Sequence, residues 1–207
     1  MAAARSHLDI NEYSLDWTYD TPEAFRSSNR FVSLFAAVAY ALAPDRVQSL
    51  QYAVRATART SFVLFLVVFT GAAFVKLLPS ALSRALARER RYIGLSFAAS
   101  QLLHAVALAI YIRTAPEAFW TGRTPATNIP GSVGYLMILL LTVTSFATPA
   151  RLVGPDNWKR LHRTGIWILA TIAGSFLTRV HQHAGYLVPG VIMVAAMLLC
   201  MATRLAP

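Results

Sequence analysis

The chain has 207 residues, of which 56% are hydrophobic and only 14% are charged, and its mean hydropathy is +0.50. A soluble domain has roughly 25% charged residues, so the surplus apolar surface requires a lipid bilayer as its partner. The net charge of +10 does not indicate a nucleic-acid partner, because the basic residues form short clusters between apolar runs, as in membrane proteins.

The N-terminal region differs from the rest of the chain. Residues 1–28 are polar and acidic and are predicted to form a cytoplasmic tail, whereas residues 29–207 are predicted to form the transmembrane domain. The first apolar run, 31–43, covers about 20 Å as a helix, which is short of a bilayer core of about 30 Å. It spans the membrane only if Arg26 and Arg30 extend to the headgroups.

The remaining apolar runs predict five further spans. Residues 47–59 have helical amphipathic spacing and are interpreted as an interfacial helix that leads into a span over 61–78. The loop 113–130 contains three prolines and is predicted to stay outside the bilayer, and Asp156 or Asn157 is predicted to cap the fifth helix. The predicted fold class is therefore all-α, an integral membrane bundle of about six transmembrane helices. Its later spans cover 92–112, 131–148, 165–177 and 185–202.

The basic residues also predict the orientation. With six spans and a cytoplasmic N-terminus, thirteen Lys and Arg residues lie on the inner side and six on the outer side. This bias obeys the positive-inside rule. The chain is thus predicted to lie in the inner (plasma) membrane with both termini in the cytoplasm.

Two histidines are the main chemical signal within the spans, where acidic residues are nearly absent. His104 lies in the third span, on a stripe with Gln101, Phe97, Gly94 and Arg90 that is interpreted as polar or small, which predicts that it faces the bundle interior. His162 lies in the first turns of the fifth helix. Histidines from neighbouring helices can ligate a haem iron. The alternative is that His104 only hydrogen-bonds within the bundle and that His162 is an interfacial residue.

The depths of the two histidines predict that they do not share one iron. By helical rise, His104 and His162 differ in depth by about 10 Å. Met193, eight residues into the sixth span, is a candidate second ligand at the level of His104. A five-coordinate iron, or a ligand from the outer His181 or His183, is the alternative. Apolar packing is the ordinary role of a methionine such as Met193.

Four stretches of the chain together resemble the ferric reductase-like transmembrane family, in particular its subfamily of haem-bearing membrane subunits of bacterial methionine sulfoxide reductase systems. The third-span stretch and the fifth-helix start carry most of this resemblance. The four stretches are ATARTSFVLFLVVF (56–69), RRYIGLSFAASQLLH (90–104), TVTSF (142–146) and WKRLHR (158–163).

The resemblance implies a bundle that binds haem b, with His104 and His162 matching family ligands of haem iron. Arg160 and Arg163 flank His162 on the basic inner face, where a haem propionate or an anionic lipid headgroup would bind. The family's second histidine on the fifth helix is Ser175 here, so at most one unusual haem is expected.

The resemblance also implies an electron-transfer subunit of an oxidoreductase. The chain contains no recognisable flavin domain, so a separate flavin-containing protein would donate the electrons, and a membrane or outer-side redox partner would accept them. The alternative function is a haemless membrane scaffold or accessory subunit that keeps the fold without redox chemistry.

Overall fold

The computed structural model describes residues 45–121, 125–180 and 184–205, together with single positions between 26 and 37. The predicted cytoplasmic tail and most of the predicted first span lie outside the described residues. Every regular element in the described part is helical. These elements are α1 (Arg46–Leu77), α2 (Ala81–Arg88), α3 (Arg90–Thr114), α4 (Pro116–Trp120), α5 (Pro125–Val143), α6 (Ala147–Val153), α7 (Pro155–Gly174), two 3₁₀ turns (Ser175–Arg179 and Ala184–Tyr186) and α8 (Leu187–Leu205).

Helix α1 is continuous over 32 residues, about 48 Å at 1.5 Å per residue. It begins at the N-cap Asp45, whose carboxylate accepts a hydrogen bond of 2.9 Å from the Gln48 backbone N–H. Residues 47–59 are therefore the first half of this helix and not a separate interfacial helix. Their apparent amphipathic pattern arises because Leu50 and Ala53 are buried, facing the partner helix α3.

Helices α1 and α3 pack antiparallel along a seam of polar and small side chains. Hydroxyl groups at such a seam allow close approach of two membrane helices and hydrogen-bond across it. The cross-helix pairs are Gln51 Nε2 with Tyr111 Oη (2.9 Å), Thr57 Oγ1 with His104 Nδ1 (2.9 Å) and Ser61 Oγ with Ser100 Oγ (2.6 Å). The buried face of α3 thus centres on Ser100. It lies next to the face through Gln101 that was predicted to be buried.

The predicted fourth span is broken. Helix α5 ends at Val143, and α6 continues at an angle of 103° to it. Pro149 has no N–H to donate to the carbonyl of Ser145, so a continuous helix would lack this hydrogen bond, which favours a break here. The carbonyl of Thr144 instead accepts the indole N–H of Trp158 at 2.7 Å.

Two predictions about the chain between spans are wrong in detail. The N-cap of α7 is Gly154, with a φ of 81°, and no side chain caps the helix. Pro155 explains this, because its fixed φ suits the first helical position and leaves Asp156 inside the first turn. The predicted loop 113–130 contains α4 and the start of α5, where Pro125 again occupies the first helical position.

The described helices form a membrane bundle, as predicted. Three segments are long and apolar enough to cross a bilayer, and the bent pair α5 and α6 brings the number to four if it counts as one span. These three segments are Arg46–Leu77, Arg90–Thr114 and Ala184–Arg204. The total of six spans stays a prediction.

The apolar core of the bundle lies between α1, α7 and α8. Phe69 of α1 meets Trp167 of α7 edge to face, with ring centroids 5.2 Å apart. The thiol of Cys200 in α8 lies 3.7 Å from the Phe69 carbonyl oxygen, and Met193 of α8 is fully buried in the same cluster. These contacts place the C-terminal half of α1 and the end of α8 beside the middle of α7, where Arg204 lies over Trp167. The ends of α1 and α8 and the start of α7 therefore lie together at the end predicted to face the cytoplasm, which we call the inner end.

Candidate functional site

The imidazole of His104 is half-buried in α3 and is fixed from one side by Thr57 of α1. Its Nδ1 lies 2.9 Å from the Thr57 hydroxyl oxygen. The same hydroxyl lies 2.9 Å and 3.0 Å from the carbonyl oxygens of Ala53 and Val54, so its proton has an acceptor within its own helix. On this basis we assign Nδ1–H as the donor to Thr57 and the lone pair to Nε2. A ring held through Nδ1 in this way is typical of histidines that bind metal through Nε2.

The imidazole of His162 is held through its other ring nitrogen, Nε2. Its Nε2 lies 3.0 Å from the hydroxyl oxygen of Thr144, and that hydroxyl lies 2.6 Å from the Leu140 carbonyl oxygen. The hydroxyl donates to Leu140 and accepts from Nε2–H. The ring also stacks on Trp158 with centroids 4.2 Å apart. His162 therefore braces the break between α5 and α6, and its Nε2 is occupied by this contact.

The two histidines lie near opposite ends of the bundle. His104 is level with Thr57, twelve residues from Phe69 along α1, and Phe69 is level with Trp167. His162 lies five residues further toward the inner end of α7. The axial separation is thus more than about 20 Å, and the sequence-based value of about 10 Å was too small. One iron cannot bridge the two rings.

The other candidate ligands do not come together at His104. Met193 lies in the apolar core cluster with Phe65 and Phe69. Cys200 of α8 is level with Phe69 of α1, and α8 runs parallel to α1. By helical rise, Met193 is therefore roughly 8 Å along the bundle axis from the level of Thr57 and His104. The Met193 side chain is a packing residue in this arrangement.

The remaining predicted residues that the structure describes lie on α7 and in the turn that follows it. Ser175 begins a 3₁₀ turn and donates to the Ile172 carbonyl oxygen at 2.6 Å. Arg160 and Arg163 are both exposed on the first turns of α7. His181 and His183 lie outside the described residues. Within the described ranges, no three His, Cys, Asp or Glu side chains are grouped so that they could hold a metal ion.

The residues present fit a haem only in part. His104 offers one nitrogen in the correct tautomer, with its ring fixed by Thr57. In His162 the Nε2 nitrogen is engaged by Thr144, which leaves Nδ1 as the nitrogen open to a metal. The described part of the chain therefore offers one histidine nitrogen at each of two levels of the bundle.

Sequence reasoning found both histidines but missed the residues that define their roles. Trp158 is four residues before His162 on one helix, a spacing at which side chains meet, so this stacking was accessible from the sequence. Thr57 is 47 residues from His104, and no local pattern connects them.

Comparison with known proteins gives one match. Residues 55–173, more than half of the chain, match the model of the family described as "Ferric reductase like transmembrane component". No curated protein and no solved structure matches. The matched segment includes His104 and His162, and the family supports a role as a membrane electron-transfer component. The chain belongs to the ferric reductase-like transmembrane component family.

Proposed function

We propose that the protein is a b-type cytochrome-like electron carrier that holds at most one haem, through His104. The observation that carries this proposal is the hydrogen bond of 2.9 Å between His104 Nδ1 and Thr57. It fixes the imidazole and leaves Nε2 as the basic nitrogen, inside the segment that matches the family.

In this proposal the chain supplies binding and orientation. His104 would hold the haem iron through Nε2, and Thr57 sets the tautomer and ring position of that imidazole. A bound haem b supplies one-electron redox chemistry. His104 lies far from the inner end, so a haem held there would suit electron transfer toward a membrane or outer-side acceptor.

The inner end of the bundle suits a separate electron donor. Lys159, Arg160 and Arg163 are exposed on the first turns of α7. A flavin-containing donor with an acidic surface would be attracted to this cationic face. The protein is then the membrane subunit of an oxidoreductase, in the plasma membrane, with both termini in the cytoplasm.

The second candidate function is a haemless scaffold or accessory subunit. It is favoured by His162, whose Nε2 is held by Thr144 and whose ring stacks on Trp158. A histidine engaged in this way stabilises the fold, and such a fold persists without redox chemistry.

An absorption spectrum separates the two functions. Wild type, His104→Ala and His162→Ala are purified from haem-replete cells, and haem per protein is measured with the reduced-minus-oxidised spectrum. We expect a haem signal in wild type that disappears in His104→Ala and persists in His162→Ala. A wild type without haem supports the scaffold. A haem signal that persists in His104→Ala would show that His104 is not the ligand.

A further inference from the structure

Two arginines on different helices lie at the inner end of the bundle, because α3 begins there and α8 ends there. Arg90 is half-buried at the first position of α3, and Arg204 lies in the last turn of α8. The guanidinium of Arg204 lies over the ring of Trp167 in α7, 5.1 Å from its centroid. Arg90 lies within electrostatic range of the Cys200 thiol, of Arg204 and of His162. We call Arg90 and Arg204 the inner arginine pair.

The inner arginine pair has no counter-charge in the described part of the chain. Neither arginine forms a hydrogen bond or an ion pair with a described residue. Glu89, which precedes Arg90, is exposed and forms no ion pair with it. Arg90 is half-buried whereas Arg204 is exposed, and their like charges repel each other. A cation in the first turn of a helix is also opposed by the helix dipole.

The surroundings of the pair favour an anion at this place. Trp167 covers one face of the Arg204 guanidinium, a contact that leaves the N–H edges of the fork available. The indole N–H of Trp167 is buried and has no acceptor among the described residues. The N-terminus of α3 adds partial positive charge, since its N-cap Glu89 makes no side-chain cap bond.

We propose that the inner arginine pair, Arg90 and Arg204, binds a phosphate group at the inner end of the bundle. The planar guanidinium fork matches phosphate oxygens with two parallel N–H donors. The position at the inner rim admits two sources of this group, the headgroup of an anionic phospholipid or a soluble phosphate. This site is independent of haem and of His104.

The test is thermal unfolding of the full chain in detergent, followed by tryptophan fluorescence. Phosphatidylglycerol is titrated in mixed micelles with phosphatidylcholine as the uncharged control. Sodium phosphate is titrated separately, with sodium chloride at equal ionic strength. Stabilisation by phosphatidylglycerol alone identifies the lipid headgroup, and stabilisation by phosphate as well identifies a site open to soluble phosphate. No stabilisation beyond the two controls overturns the proposal.

Matched variants locate the site. The double variant Arg90→Gln/Arg204→Gln is compared with Arg84→Gln/Arg88→Gln, which removes two exposed cations from α2 on the same side. We expect roughly tenfold weaker binding only in the first, because it loses charge-assisted contacts. Equal weakening in both shows diffuse surface charge and overturns the site. If the glutamine variant does not fold, Arg90→Lys/Arg204→Lys replaces it. The lysines keep the positive charges but lack the paired N–H donors of the planar guanidinium groups. Unchanged binding in that variant contradicts the proposal.

Discussion

At the scale of single residues, hydrogen bonds to two threonines distinguish the two histidines. Thr57 engages Nδ1 of His104, whereas Thr144 engages Nε2 of His162. The same residue type therefore serves as a candidate ligand in one place and as a brace in the other. The difference depends on which ring nitrogen the neighbouring hydroxyl reaches.

The Thr57 hydroxyl gives a direct test of this distinction. We expect Thr57→Val to reduce haem per protein and to shift the reduced-minus-oxidised spectrum, because the His104 ring loses its fixed tautomer. The loss of the hydrogen bond also destabilises the fold by about 1 kcal/mol. Haem content, the spectrum and thermal unfolding are measured on the purified protein.

Thr60 provides the matched control for Thr57. Its hydroxyl donates only to carbonyl oxygens of its own helix, those of Ala56 and Thr57. Thr60→Val also removes a hydroxyl group, but this hydroxyl does not contact His104. We therefore expect its haem content to stay at the wild-type value. Equal haem loss in the two variants assigns the effect to α1 packing and not to His104.

The sequence located the histidines because a polar side chain is costly within an apolar span and is therefore conspicuous. Their partners were not accessible in the same way. The Thr57–His104 bond depends on how α1 and α3 are aligned, and that alignment also rests on the Ser61–Ser100 pair. Serines and threonines are common in membrane helices, so their pairing follows from tertiary packing and not from a local pattern.

At the scale of helices, hydropathy predicted the straight spans well and the broken one poorly. The predicted span 92–112 lies within α3, Arg90–Thr114. An uninterrupted apolar run of this length forms a continuous helix in lipid, because its backbone groups must hydrogen-bond within the segment. The break after Val143 depends on Pro149 together with the bond from Trp158 to the Thr144 carbonyl. Only the first of these two features can be read locally.

Two glycines in different helices predict opposite effects of the same substitution. A Cβ at Gly190 in α8 would lie 2.8 Å from the backbone nitrogen of Leu177, and a backbone atom cannot move aside cheaply. We expect Gly190→Ala to destabilise the bundle by about 1–3 kcal/mol. A Cβ at Gly71 in α1 would meet nothing within 4 Å.

Gly71→Ala is thus the control for Gly190→Ala. It is expected to leave stability unchanged or to raise it by up to about 1 kcal/mol, because alanine loses less backbone entropy than glycine within a helix. Thermal unfolding of both variants in one detergent checks the pair. A stable Gly190→Ala protein would show that α8 and the turn at Leu177 are not packed as closely as described.

At the scale of the whole molecule, the contacts fix which helix ends lie together. Helix α3 runs antiparallel to α1 along the Thr57–His104 and Ser61–Ser100 contacts. Helix α8 runs parallel to α1, since Lys76 donates to the Thr203 carbonyl oxygen at 3.0 Å. The end of α8 and the start of α3 are therefore at one end of the bundle, and the end of α3 is at the other.

This arrangement makes the predicted topology testable at two positions. A reporter fused after Pro207 follows the end of α8, and a reporter inserted after Thr121 follows α3 and α4. The bundle geometry requires that the two reporters lie on opposite sides of the membrane. The bias of thirteen basic residues against six further predicts that the C-terminal reporter is cytoplasmic. Alkaline phosphatase and green fluorescent protein fusions at each position measure this. Reporters on the same side would contradict the order of the helices, whereas opposite sides with an external C-terminus would contradict only the orientation.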